Sequence, residues 1–143
     1  MKFKLLNDDK QKTFALILDS DDEVMESIAT FARQQHLTAS QFNAIGAFSK
    51  TTLGFFDFSV KDYKRIEINE QVEVLNIAGD ISLYKNEFKI HAHAVVGKED
   101  GTAHGGHLIK GIVHPTLEII LTESPAYLKR EMDKESGIPL IKI

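Results

Sequence analysis

The stretch Glu87-Phe88-Lys89-Ile90-His91-Ala92-His93-Ala94-Val95-Val96 decides the fold class. Its even positions read Phe, Ile, Ala, Ala, Val. Its odd positions read Glu, Lys, His, His, Val. Side chains alternate faces along a strand, so this period of two predicts a strand with one apolar face and one polar face. Working outward, Gly97-Lys98-Glu99-Asp100-Gly101 predicts a turn into a Gly-rich, strand-like run over residues 102–113. Residues 116–122 alternate again, with Leu117, Ile119 and Leu121 on one face. Upstream, residues 71–84 alternate with an interruption at Gly79-Asp80, and residues 42–48 and 51–58 read as strands separated by Ser49-Lys50. Residues 13–18 form a short apolar run.

One segment breaks this period. Val24, Ile28, Phe31 and Ala32 recur at helical spacing. Ser20 followed by Glu23 forms a capping box ahead of them, and His36 suits the C-terminal end of the dipole. A main helix is therefore expected over about residues 21–35. A short C-terminal helix is expected over residues 127–134, stopped by Gly137, followed by a terminal strand over residues 138–143. The fold class is α+β, a mostly antiparallel sheet packed with one main helix.

The chain has 143 residues, is 43% hydrophobic and 27% charged, and reads as a single domain over residues 1–143. That composition excludes a disordered or low-complexity chain. The absence of cysteine excludes disulfides, thiolate metal sites and cysteine nucleophiles. No apolar run approaches a membrane span, and the N-terminal residues do not read as a signal peptide. A cytoplasmic location is the expectation. The net charge of −4 weighs against a stand-alone nucleic-acid binder, because such affinity comes largely from neutralising phosphates.

Five of the six histidines fall between His91 and His114. His91 and His93 project from one strand face, with Cβ atoms about 6–7 Å apart. Two imidazoles so placed can converge on a metal at bonds of about 2.0–2.1 Å. The predicted hairpin lays His104-Gly105-Gly106-His107 alongside them. A regular strand delivers only one of His104 and His107, unless the glycines form a bulge. Three imidazoles would leave an open coordination position. Zinc is the natural divalent occupant, although nickel, copper and iron also accept imidazole. A cupin site is disfavoured, since Glu99 falls late after His93 and no Pro-x-Gly element precedes a histidine downstream.

Other chemistry is sparse. There is no G-x-G-x-x-G and no phosphate loop, so no nucleotide cofactor is expected. No Gly-x-Ser-x-Gly elbow occurs. Glu118 alternates onto the non-core side of its strand and is a candidate base beside a metal-bound water. Glu70 and Glu73 share that ambiguity, and His36 and His114 are set aside.

Several stretches in fixed order carry a family resemblance. They are Phe42-Asn43-Ala44-Ile45-Gly46-Ala47-Phe48, Thr52-Leu53-Gly54-Phe55-Phe56-Asp57 and Glu73-Val74-Leu75-Asn76-Ile77-Ala78-Gly79-Asp80-Ile81-Ser82. His91-Ala92-His93-Ala94-Val95-Val96-Gly97, Gly105-Gly106-His107-Leu108-Ile109-Lys110-Gly111 and Thr116-Leu117-Glu118-Ile119-Ile120-Leu121 follow. Together they resemble the bacterial form of the PPC domain, the plants and prokaryotes conserved domain. The resemblance implies an α+β fold, a homotrimer, and a metal site near subunit contacts at the positions of His91, His93 and His107. It favours His107 over His104, which is kept as an additional candidate. In plant members the domain follows AT-hooks and mediates self-association and partner binding. No Arg-Gly-Arg-Pro element occurs here, so the DNA-binding label attached to the family lacks its gripping element in this chain. The main reading is a homotrimeric three-histidine metal module, tied to DNA-associated regulation through protein partners. The competing reading is a metal-dependent hydrolase or lyase with Glu118 as base.

Overall fold

The alternating run becomes strand β6 (Glu87–Gly97), with Ala92, Ala94 and Val96 buried and Glu87, Lys89 and His93 facing out. The computed structural model describes residues 1–8, 11–125 and 128–142. The other elements are β1 (Lys2–Asp8), β2 (Lys12–Asp19), α1 (Val24–Gln35), β3 (Ala39–Asp57), β4 (Asp62–Ile68), β5 (Val72–Tyr84), β7 (Ala103–Glu123), β8 (Lys129–Met132) and β9 (Pro139–Lys142). All pairings are antiparallel except that of β5 with β8. The main sheet path runs β1-β2-β7-β3-β5-β8-β9. Strand β6 pairs with both β5 and β7, and β3 pairs with the same two strands. The pairings β3–β5–β6–β7 thus close on themselves, and the apolar halves of these strands face one core.

Helix α1 covers that core with Val24, Ile28, Phe31 and Ala32, all buried. Phe31 meets Phe14 of β2 edge-on at 5.2 Å. The helix begins three residues later than its acidic run suggests. Glu23, not Ser20, is the N-cap, accepting from the backbone N–H of Met25 at 3.3 Å and Glu26 at 2.8 Å. Ser20 instead donates to the Pro115 carbonyl at 3.2 Å. Its hydroxyl also lies 3.2 Å from His114 Nδ1. Glu23 does a second job: it accepts the Gly111 N–H at 3.1 Å, tying the helix start to β7. Glu23→Ala should therefore cost about 2 kcal/mol, the upper end for a lost cap, because a sheet contact goes with it. Chemical denaturation with an unchanged m-value checks this.

The expected C-terminal helix does not form. Residues 129–132 are strand β8, paired with β5 and with β9. Tyr127, where that helix was expected to start, lies outside the described residues. The sequence Lys129-Arg130-Glu131-Met132 has good helix propensity, but the sheet offers it more: an edge to pair with and a buried partner set for Arg130. The terminal strand is present as β9, with Ile143 outside the described residues. Strands β1 and β4 carry no clear alternation and were not expected. Strands β3 and β7 each run through the breaks expected at Ser49-Lys50 and His114-Pro115, absorbing them as register shifts. Among the described residues, no helix is long and apolar enough to cross a membrane.

Candidate metal centre

His91 and His93 leave the outward face of β6, and His93 stands directly opposite His107 of β7. The closeness of β7 to β3 here depends on Gly106. A Cβ at that position would lie 2.7 Å from the Gly54 carbonyl oxygen. The three rings form a cluster. Centroids are 4.9 Å apart for His91 and His93, 5.3 Å for His91 and His107, and 5.5 Å for His93 and His107. One nitrogen from each ring lies within 4.8 Å of the others. His91 Nε2 and His93 Nε2 are 3.1 Å apart. Nitrogens bound at tetrahedral angles to one zinc would sit about 3.3 Å apart, so this pair is already at ligand spacing.

The cluster has walls. Tyr63 of β4 stacks on His107 at 4.5 Å between ring centroids, 21° from parallel. Phe56 packs edge-on against Tyr63 at 5.1 Å. Behind His91, Asp80 of β5 lies 3.7 Å from Nδ1. Arg130 Nη2 donates to both Asp80 oxygens, at 2.7 and 2.8 Å.

The electrostatics favour the neutral form of His93 and His107, the form a metal requires. Burial, then the neighbouring His91, lowers the pKa of His93. Burial, reinforced by His91, His93 and Lys89, brings that of His107 down to about 4. Burial pushes the Asp80 carboxyl up, but His91 and the Arg130 guanidinium outweigh it and hold Asp80 below the ordinary value. His107 Nδ1 is buried with no hydrogen-bond partner among the described residues. An orphaned buried nitrogen costs about 1–3 kcal/mol unless something else satisfies the ring. Three converging imidazoles with no thiolate, one of them carrying an orphaned nitrogen, fit a divalent metal of the zinc type.

A pH dependence follows for the metal-free protein. His107 has a folded pKa of about 4 against an ordinary 6.5. Between those values the unfolded chain binds the extra proton, so stability falls as pH drops from 6.5 toward 4. Thermal melts across that range should show the loss for the native chain, and a shallower slope for His107→Gln.

The other sequence candidates lie elsewhere. His104 is exposed and stands opposite Val96, outside the cluster. Glu118 lies opposite Ile17 and Ile45, eleven residues along β7 from His107, on the order of 30 Å of strand. It lines a separate cavity of about 510 Å³ with Ile45, Glu73, Leu75 and Thr116. Glu70 pairs with Lys98 at 2.5 Å. None of these carboxylates joins the histidine cluster. Sequence reasoning missed Tyr63, whose strand has no clear alternation, and Asp80 and Arg130, which are far apart in the chain. The Gly79-Asp80 interruption was the available signal for Asp80.

The chain matches the Plants and Prokaryotes Conserved (PCC) domain, the PPC domain named above, over residues 6–125. It belongs to that family. Its fold is shared by a PPC protein of Pyrococcus horikoshii, 28% identical, with TM-score 0.86 over 99% of this chain and 95% of the other. A protein of Ralstonia eutropha JMP134 with a provisional DNA-binding name is 30% identical, with TM-score 0.85 over 91% and 90%. A metal-containing protein of Archaeoglobus fulgidus is 27% identical, with TM-score 0.84 over 99% and 97%. No curated protein sequence matches the chain. For this PPC-domain protein, the α+β, mostly antiparallel expectation holds.

Proposed function

We propose that this PPC-domain protein is a homotrimeric metal-binding module, with zinc held by His91, His93 and His107. The observation that carries the reading is the convergence of three imidazoles from two paired strands. The metal-containing relative in Archaeoglobus supports it. Bound there, the metal would supply a Lewis acid. The residues hold it: β6 and β7 fix the two histidine-bearing strands, Tyr63 restrains the His107 ring, and the low proton affinity of His93 and His107 keeps their lone pairs available. Self-association is supported by apolar side chains left outward, namely Ile45, Leu75, Val95 and Ile120. Val95 shares its face of β6 with His91 and His93.

Any role at DNA runs through protein partners, because the net charge of −4 opposes direct contact with phosphates. Elemental analysis of purified protein beside His91→Ala tests the metal, which should be near stoichiometric in the first and lost in the second. Mass by light scattering should give three chains, and a monomer contradicts the assembly. A mobility shift on A/T-rich duplex at low salt should be absent; a shift there would overturn the reading of indirect DNA contact.

A further inference from the structure

We propose that Asp80, clamped by Arg130, is a positioning residue that orients His91 for the metal. The two nitrogens of His91 face opposite ways: Nε2 meets His93 Nε2 at 3.1 Å, and Nδ1 meets Asp80 Oδ2 at 3.7 Å. A small rotation of the ring brings Nδ1–H into donating distance of the carboxylate. That fixes the tautomer with the Nε2 lone pair free and aimed at the cluster. A carboxylate behind a ligand imidazole also raises its basicity as a donor.

Asp80 does not stand alone. Arg130, whose side chain is only 5% exposed, donates from one nitrogen to both its oxygens. It also donates through Nε to Ser82 Oγ at 2.7 Å and through Nη1 to the Pro139 carbonyl at 2.9 Å. Ser82 Oγ closes the set at 3.1 Å from Asp80 Oδ1. A planar guanidinium with this many fixed contacts leaves the carboxylate little freedom to turn. The strand that delivers it, β8, joins the sheet beside β5 and lies beyond residues 6–125, the span that matches the family. The C-terminal hairpin β8–β9 therefore acts on the metal centre through one side chain, without touching it.

This inference rests on the metal reading above, and its test separates the two. Nitrogen-15 NMR of the histidines in metal-free protein reads the tautomer directly. His91 should carry its proton on Nδ1 in the native chain, and Asp80→Asn should shift that signal toward a tautomer mixture. Zinc titration should then show Asp80→Asn and Arg130→Met about 10–100-fold weaker than the native chain. Asp80→Asn keeps the side-chain volume, so it reports even where Arg130→Met fails to fold. A native chain that takes no zinc overturns the metal reading, while the tautomer still decides the link from Asp80 to His91. A native chain that binds zinc, with Asp80→Asn matching it in affinity and in His91 nitrogen shifts, overturns the positioning role.

Discussion

His107→Ala should lower zinc affinity by roughly 100–1,000-fold while leaving the fold standing. The size follows from sharing a binding free energy of about 10–16 kcal/mol, typical of a four-ligand protein zinc site, among its ligands. One ligand then carries roughly 3 kcal/mol, and His107 is the only member of the cluster contributed by β7. The fold should survive because the losses oppose each other. Truncation removes the stack on Tyr63, which stabilises, but it also removes a buried nitrogen without a partner, which does not. Isothermal titration with zinc and a thermal melt on the same preparation check both halves. Equal affinity in the variant would place the metal elsewhere.

Gly46→Ala should do the reverse and remove stability without touching the cluster. Gly46 sits at φ +152°, between two register shifts of β3, where the strand changes its alignment with β5 and β7. A Cβ there would lie 2.3 Å from the Thr116 carbonyl oxygen and 2.8 Å from Leu117 Cα. Both obstacles are backbone, so no side chain can swing aside. Overpacking costs about 1–3 kcal/mol and a strained backbone conformation a similar amount, giving roughly 4 kcal/mol together. Against a usual stability of about 5–15 kcal/mol, that is a large share. The melting temperature should fall by roughly 10–20 °C. Gly101→Ala is the control: its Cβ would meet nothing within 4 Å, so only the positive φ of +80° opposes it.

What could be read in the sequence was whatever repeats with a local period. The alternation of residues 87–96 gave β6, its apolar face and the shared direction of His91 and His93. The helical spacing of Val24, Ile28, Phe31 and Ala32 gave α1. Parity along β7 separated His104 from His107, and the resemblance chose between them as the cross-strand register does. The features that escaped depend on contacts between distant residues. Lys129-Arg130-Glu131-Met132 favours a helix locally, but the sheet edge of β5 and the pairing of the buried Arg130 side chain with Asp80, fifty positions away, favour a strand. Ser20 looked like the cap, yet Glu23 has a second partner in Gly111 that no local pattern announces. Glu118 was plausible as a base by alternation alone, and only the length of β7 removes it from the histidines.

The central claim is that one metal ion sits among three imidazoles. Anomalous diffraction at the zinc absorption edge, on crystals grown with zinc, tests it in one measurement. A single strong peak about 2.0–2.1 Å from a nitrogen of each of His91, His93 and His107 is the predicted result. Zinc-grown crystals with no peak at that point, or with zinc bound only at surface carboxylates, would contradict the account.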